Sequence, residues 1–462
     1  MRKRVTVGGM VALGLGLLLA GCTLFQPATS VVPMSEGSLQ ETILIFRGRI
    51  PGNLLPEIEA AGGEVLGVIE PLNMALVCGS GQAFLEAIDG FPALSETAPN
   101  ITANWLPAAE AIPVGIESIG DDEHRFSRQW DMRAIDAPGA WDAGVTGAGV
   151  RVAVLDTGVD YNHPDLVGQV NLGLSISFVE AEPDVMDHHF HGSHVSGIIA
   201  AADNSYGVIG VAPGAEIVGI KVLGADGSGS FFAMMQGLAH AAVNDCDVAN
   251  MSLGAYFSHN GYYKYDDNEG VWHEVFVGAA EINALLNAMR SAINYATQEG
   301  VLVVASAGNG SLNGQGDSGW MHTPSDLGSA VCVSATGPIG VFEDPDTDLD
   351  VFASYSDYGP QIDFAAPGGN SNDVPYYWYD YVYNCLSTAA FPGFEYIWAA
   401  GTSQAAPHVA GVAALIIEAG GGDMKPAHVL RELRACADDL GKPGQDIEYG
   451  YGRVNAYQAV AP

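Results

Sequence analysis

The feature that most restricts the fold of this chain is a pair of apolar runs that each end at a polar side chain beside glycine. Residues 152–155 (VAVL) lead into Asp156 before Thr-Gly, and residues 301–307 (VLVVASA) lead into Gly308-Asn309. Short apolar runs bounded by turn residues are consistent with strands buried in a parallel sheet. Functional side chains stand just beyond the carboxyl ends of such strands. We therefore expect an α/β domain with Asp156 and Asn309 as candidate site residues.

Neither of these two residues identifies a function alone. An aspartate in the position of Asp156 can orient a histidine, bind a metal or cap a turn. The side-chain amide of Asn309 can donate to a developing oxyanion, and such a donor is worth roughly 3–4 kcal/mol of transition-state stabilisation.

Four histidines fall within seven residues, at positions His188, His189, His191 and His194. One interpretation is a metal site, since imidazoles are common zinc ligands. The other is the start of a buried helix, because Gly192 permits close approach and the residues that follow are small and apolar. Packing would fix a histidine in the first turn of that helix, so His191 is a candidate catalytic residue.

A second buried helix is predicted where Gly401-Thr-Ser403-Gln opens a run of small and apolar residues. A serine at a helix start is usually only a cap. Here Gly401 and the small residues after Ser403 would let a substrate backbone approach. The helix N-terminus also favours negative charge that develops nearby. Ser403 is therefore a candidate nucleophile.

Taken in the order Asp, His, Ser, the three blocks resemble the signature blocks of the subtilisin-like serine proteases, the subtilases. The resemblance covers roughly residues 129–458, and its departures are mild: Ser193, Ser196 and Gln404 replace the usual Thr, Ala and Met. It implies a three-layer α/β fold with a mostly parallel central sheet. It also implies a serine endopeptidase that works through an acyl-enzyme without a catalytic metal. The implied catalytic residues are Asp156, His191, Ser403 and Asn309.

The same resemblance implies where a peptide substrate binds. Residues 221–230 resemble an edge strand that pairs with the substrate backbone, and residues 250–254 resemble the opposite edge, which lines the P1 pocket. The glycines are expected to keep this cleft open to large side chains, although ordinary turns on an α/β scaffold also fit the spacing. The implied substrate-binding residues are Gly227, Ser228, Gly229, Ser252, Leu253 and Gly254.

A structural calcium ion is the cofactor that the resemblance implies. Residues 202–213 match the calcium loop of the family without a gap, and the ligands would be oxygen atoms, which Ca²⁺ prefers. The alternative is a plain turn held by its own hydrogen bonds. The acidic run at residues 343–350 is a weaker candidate for another calcium loop. The implied ligands of the first site are Asp122, Asp165, Ala202, Asn204, Tyr206 and Val208.

The amino terminus predicts export. A basic start is followed by an apolar run over residues 5–20 that is short for a membrane span. This run ends in Leu-Ala-Gly-Cys22, which resembles the lipobox of bacterial lipoproteins. We therefore interpret residues 1–21 as a lipoprotein signal peptide, Cys22 as the lipidated residue and residues 22–40 as a flexible tether.

Residues 41–105 predict a small domain that precedes the large one. Their pattern follows the order β-α-β-β-α-β, which is ferredoxin-like α+β, and in subtilases such a unit is an inhibitory prodomain that assists folding. Residues 106–121 are then a linker with the processing site, and residues 122–462 are the catalytic domain. Processing would release the enzyme from its lipid anchor, because Cys22 precedes the prodomain.

Composition limits the partners. The chain has 17 Lys+Arg against 54 Asp+Glu, a formal net charge of −37, so nucleic acid is not an expected partner. The expected partners are peptides, the prodomain and, through Cys22 alone, a membrane. Six cysteines leave five after lipidation, so at most two disulfides can form. Cys385 and Cys436 are the pair to test first.

Two aromatic-rich stretches exceed what the implied fold requires. They occupy residues 261–277 and residues 369–398, and both contain several tyrosines and a tryptophan. Two interpretations remain open for each stretch: it rims the cleft and selects substrates, or it is a surface excursion without a role.

Overall fold

The computed structural model describes residues 39–106, 112–113, 123–266, 272–314, 319–371 and 377–461. The predicted signal peptide, Cys22, Asp122 and most of the predicted tether and linker lie outside these ranges. Among the described helices, none combines the length and the apolar character needed to cross a membrane.

A small α+β unit comes first. Its elements are β1 (Gln40–Phe46), α1 (Leu54–Ala60), β2 (Glu64–Ile69), β3 (Met74–Gly79), α2 (Gln82–Asp89) and β4 (Leu94–Pro99). The antiparallel sheet has the strand order β2-β3-β1-β4. Leu44 and Val77 pack against α1 and α2, whereas Ile43 and Leu76 join the core of the large domain. The alternation along β1 and β3 therefore buries both faces of this sheet.

The strands that follow are short, and seven of those described are buried along their whole length. They are β5 (Thr102–Asn104), β6 (Ile112–Pro113), β7 (Arg151–Asp156), β8 (Ile176–Ser177), β9 (Glu216–Lys221), β10 (Ser228–Ser230), β11 (Val248–Met251), β12 (Ala255–Ser258), β13 (Tyr262–Asp266), β14 (Trp272–Phe276), β15 (Leu302–Ser306), β16 (Trp320–Thr323), β17 (Val331–Thr336), β18 (Phe364–Pro367), β19 (Val382–Cys385) and β20 (Tyr396–Ala399). The helices are α3 (Trp130–Ala134), α4 (Ala137–Asp142), α5 (His191–Ala200), α6 (Phe231–Val243), α7 (Ala279–Gln298), α8 (Thr402–Ala419), α9 (Pro426–Cys436) and α10 (Ala456–Val460).

Seven of these strands form a parallel sheet in the order β18-β17-β15-β11-β7-β9-β8. Within β7, Ala153 and Leu155 pack in the cluster of α6 and α7, whereas Val152 and Val154 pack in the cluster of α5 and α8. Helices thus cover both faces of the sheet, which explains why its strands are apolar without alternation. The predicted three-layer α/β fold is confirmed.

Cys385 and Cys436, the pair to test first, are not joined by a disulfide. All five described cysteines are free. Cys385 lies in an aromatic cluster with Tyr383 and Trp398, whereas Cys436 packs with α8 in a different cluster. Burial raises the pKa of both thiols, so they act as small apolar side chains of two separate cores.

Candidate active site

Three predicted catalytic residues stand at neighbouring ends of elements. Asp156 is the last residue of β7, His191 is the first of α5 and Ser403 is the second of α8. All three are buried in the described structure. The sheet and the two helices of one layer therefore bring together residues that are far apart in the chain.

The aspartate holds the histidine directly. His191 Nδ1 lies 2.8 Å from Asp156 Oδ1 and 2.9 Å from Oδ2, and the Thr157 backbone N–H donates to Oδ1 at 2.7 Å. A buried carboxylate in this contact fixes the imidazole with its proton on Nδ1. The Nε2 atom of His191 is then left with a lone pair that can accept a proton.

Among the described contacts, Ser403 makes no hydrogen bond to His191. Its Oγ donates to the Ser252 carbonyl oxygen at 3.1 Å. Ser252 Oγ in turn donates to the Ser403 carbonyl oxygen at 2.7 Å. Rotation about the Ser403 side-chain bond would redirect Oγ, and such contacts often tighten only once substrate is bound.

Asn309 is positioned by α8. Its Oδ1 accepts from the Thr402 backbone N–H at 3.0 Å and from the Thr402 hydroxyl at 2.8 Å. This orients Nδ2 toward Gly401, where a Cβ atom would come within 3.1 Å of it. Among the described residues, the Asn309 amide and the Ser403 backbone N–H are therefore two donors available beside Ser403 Oγ.

A buried polar network behind the pair of Asp156 and His191 was not apparent from the sequence. The Asp187 carboxylate accepts from the hydroxyl of Thr157 at 2.9 Å and from that of Ser193 at 2.7 Å. Lys221, also fully buried, donates to the Thr157 carbonyl oxygen and forms a 2.9 Å ion pair with Glu182. Ser193 keeps the hydroxyl of the threonine usual at this position, which explains why this departure is mild.

The four clustered histidines do not converge on a metal site. His188 is exposed, but His189 is half-buried and stacks on Phe190. Burial lowers the pKa of His189 to about 4 and that of His194 to about 3. The cluster is therefore explained by the start of α5, with His191 in the first turn.

A different group, His163, Asp165 and Cys385, has ligand atoms within 4.8 Å of one another. His163 Nε2 contacts the Glu395 carbonyl oxygen at 2.7 Å, and its Nδ1 accepts from the Asp165 backbone N–H at 3.1 Å. Both ring nitrogens are thus engaged, and burial keeps the Cys385 thiol protonated by raising its pKa. These three residues therefore form a hydrogen-bonded part of the core and not a transition-metal site.

The predicted substrate-binding edges flank the segment that leaves the small unit. Thr102, Ala103 and Asn104 pair antiparallel with β10, which contains Ser228 and Gly229. Trp105 continues the segment: its backbone N–H donates to the Gly227 carbonyl oxygen at 3.2 Å. The Gly254 N–H donates to the Trp105 carbonyl oxygen at 3.0 Å on the opposite edge. We call residues 102–106 the tail.

The pocket beside Ser403 is not as open as the sequence predicts. A Cβ atom on Gly254 would lie 2.1 Å from His322 Cε1, so the imidazole fills the room that this glycine leaves. His322 precedes Thr323 at the end of β16. No motif marked His322, because its position follows from how β16 pairs with β12 and not from local sequence.

The two aromatic-rich stretches have different positions. Strands β13 and β14 form a hairpin that extends the sheet of β12 and β16, and its Lys264 and Trp272 line the same pocket as Ser403. In the second stretch, Tyr381 and Tyr383 are buried in a cluster with Trp398. The first stretch therefore rims the cleft, whereas these tyrosines of the second belong to the core.

The predicted calcium loop surrounds Asp165. Asp165 Oδ2 accepts from the Val208 N–H at 3.0 Å and from the Tyr396 hydroxyl at 2.8 Å, while Asn204 Nδ2 lies 3.3 Å from Oδ1. Burial raises the pKa of this carboxyl. Among the described contacts, none has the carbonyl oxygen of Ala202, Tyr206 or Val208 as its acceptor. Asp350, from the other acidic run, forms a 2.7 Å ion pair with Arg453.

The fold and this arrangement define a serine hydrolase of the three-layer α/β class. The model of the family described as "Subtilase family" matches residues 147–452 of this chain. M-protease of Shouchella clausii (strain KSM-K16) is 37% identical over 392 residues, with 84% of this chain and 85% of that protein covered. Subtilisin Savinase of Lederbergia lenta is 37% identical over 331 residues, with 72% of this chain and 98% of that protein covered.

Two solved structures share the fold. The epidermin leader peptide processing serine protease of Staphylococcus aureus aligns with a TM-score of 0.70 at 23% identity, covering 92% of this chain and 98% of that chain. Fervidolysin of Fervidobacterium pennivorans aligns with a TM-score of 0.68 at 22% identity, covering 93% of this chain and 62% of that chain. Because the family model and the two relatives that are 37% identical cover most of the chain, the chain belongs to the subtilase family and is a subtilisin-type serine endopeptidase.

Proposed function

We propose that the chain is an exported endopeptidase in which Ser403 is the nucleophile, His191 the general base and Asp156 the residue that orients His191. The observation that supports this most directly is the buried contact of 2.8 Å between His191 and Asp156 beside the start of α8. A second supporting observation is that Ser403 and Asn309 line the same pocket.

The chemistry follows from these positions. As Ser403 Oγ bonds to the peptide carbonyl carbon, its proton moves to His191 Nε2. The oxyanion accepts hydrogen bonds from Asn309 Nδ2 and from the Ser403 backbone N–H. His191 then gives the proton to the amine as the C–N bond breaks, and water hydrolyses the acyl-enzyme by the same steps.

A peptidase assay tests this proposal. Purified, processed protein should hydrolyse casein, and a fluorophosphonate should abolish the activity because it bonds covalently to an activated serine. Activity that survives the fluorophosphonate but is lost to a chelator, without recovery in calcium, would instead require a metal mechanism.

We propose that the small unit inhibits its own catalytic domain through the tail. The tail pairs with β10, and its fully buried Trp105 donates from Nε1 to the Gly229 carbonyl oxygen at 2.6 Å. The Trp105 ring packs 4.8 Å from that of Phe231. A peptide in this position excludes a substrate from the same edge, as strand addition does in peptide recognition.

Processing of the chain is expected between Leu106 and Ile112. Leu106 lies in the pocket with Ser403, whereas Ile112 and Pro113 pair with β20, which ends shortly before Ser403. N-terminal analysis of the released fragment should find its first residue at position 109, 110 or 112, each of which follows an alanine.

Two variants separate self-processing from cleavage by a contaminant. Ser403→Ala should stay full-length, whereas Ser291→Ala, which removes an exposed hydroxyl from α7, should be processed as the parent is. A fragment that begins before residue 102, or a cut Ser403→Ala chain in purified form, would contradict the proposal.

We propose a structural calcium ion in the loop around Asp165. The carboxylate is buried, and the Ala202, Tyr206 and Val208 carbonyl oxygens are available, which fits an oxygen-ligand site. Asn204 and Asp122 complete the proposed set. A cation there would stabilise the ionised form of Asp165, whose burial raises its pKa.

Removing calcium should lower the melting temperature. Calcium at 100 times its Kd would stabilise the folded chain by about 2.7 kcal/mol, and EGTA should remove this gain in a thermal melt. Asp165→Asn should abolish the response, whereas Asp346→Asn in the run 343–350 should retain it. An unchanged melting temperature in EGTA would show that the loop is a plain turn.

We propose that the precursor is anchored through Cys22 and that processing releases the enzyme. The basic start, the apolar run and the Leu-Ala-Gly-Cys22 sequence support this. The released fragment should lack the acyl group. Acylated full-length protein as the only active species would contradict this part of the proposal.

A further inference from the structure

The reaction geometry determines which pocket receives the side chain before the scissile bond. The carbonyl carbon of the scissile bond must reach Ser403 Oγ while its oxygen reaches Asn309. The side chain before the scissile bond is carried on the Cα atom bonded to this carbon, so it enters the pocket that both residues line. Leu253, Gly254 and His322 line that pocket as well.

His322 lies between Gly254 and Gly308, two glycines that line opposite walls of this pocket. A Cβ atom on Gly254 would lie 2.1 Å from its Cε1 and 2.2 Å from its Nε2. A Cβ atom on Gly308, in the opposite wall, would lie 2.8 Å from its Cδ2. A single imidazole is therefore in contact with both walls, where a large substrate side chain would otherwise fit.

The ring is held firmly in this place. His322 Nδ1 lies 2.9 Å from Ser325 Oγ, and the His322 backbone N–H donates to Asp326 Oδ2 at 2.9 Å. Its ring lies 5.0 Å from that of Tyr256. Burial lowers the pKa of His322 to about 3, so the ring is neutral. Moving the ring aside for a substrate would break its contacts with Ser325 and Tyr256.

We propose that His322 is a specificity-determining residue that restricts the position before the scissile bond to small side chains such as alanine, glycine and serine. This inference rests on the proposed function, because it assumes attack by Ser403 on a peptide. It replaces the expectation of a pocket open to large side chains.

Fluorogenic peptides that differ only at this position, with Ala, Leu or Phe, test the inference on the processed enzyme. The parent should cleave the Ala peptide with a kcat/KM at least about 10-fold above that of the Phe peptide. His322→Ala should raise the ratio of Phe to Ala cleavage by about 10- to 100-fold, the range for a change in pocket volume. His240→Ala on α6 is the matched control and should keep the parent ratio.

Cleavage of denatured casein by the parent, followed by mass spectrometry of the products, gives a second readout that needs no folded variant. Small residues should be enriched before the cut bonds. A parent that cleaves after Phe as well as after Ala would overturn this inference alone. A parent that cleaves none of the peptides and no casein would overturn the proposed function too.

Discussion

Replacing Ser403 by alanine is expected to lower kcat by about 10⁶-fold, the order known for the nucleophile of subtilisin, a member of the same family. Without Oγ, no acyl-enzyme can form, and the remaining groups can only bind and polarise the substrate. Ser403 is buried and makes one side-chain hydrogen bond, to the Ser252 carbonyl oxygen. The loss of this contact should leave the fold intact.

The kinetic comparison requires that processing and turnover be separated, because Ser403→Ala should not cut itself. A recognition site for an unrelated protease can be placed within residues 114–120 of the full chain. Cleavage there separates the catalytic domain from the small unit in the same way in the parent and in the variant. Ser291→Ala, released likewise, should have parent kcat. Activity of Ser403→Ala above about one per cent of the parent would exclude Ser403 as the nucleophile.

Asp156→Asn is expected to lower kcat by about 10⁴-fold. The buried carboxylate accepts from His191 Nδ1, which keeps the Nε2 lone pair toward the nucleophile. An amide in its place would donate to Nδ1, move the proton to Nε2 and leave no charge to stabilise the imidazolium. The measurement is kcat/KM of the released variant on a fixed peptide.

The matched control is Asp142→Asn, at an exposed carboxylate that ends α4. It should keep parent activity. A loss of less than 10-fold in Asp156→Asn would show that this carboxylate does not orient the base.

The proposed catalytic residues could be picked out from the sequence because each is marked by a local signal. The apolar run before Asp156 predicts β7, and the small residues after His191 and Ser403 predict two helices packed close to the sheet. The chain order of the three residues then limits the family. The family resemblance implies an inhibitory prodomain whose C-terminal end occupies the active site. The pairing of the tail with β10 depends on how two folded units dock, which no local pattern specifies.

Other parts of the site lack a local signal. Asp187 and Lys221 are polar residues that sequence patterns place on the surface, yet tertiary contacts with Thr157 and Glu182 bury them. His322 was missed for a related reason. The glycine at Gly254 indicates an open wall, but only the pairing of β12 with β16 reveals that a ring from another strand fills the space.

Covalent labelling with a fluorophosphonate, followed by peptide mass spectrometry, tests the central claim most directly. On the processed parent we predict one adduct per chain, on Ser403, and complete loss of peptidase activity in proportion to labelling. His191→Ala should label far more slowly, since the serine is no longer activated. An adduct on another residue, or an active enzyme that stays unlabelled, would contradict the assignment of Ser403 as the nucleophile.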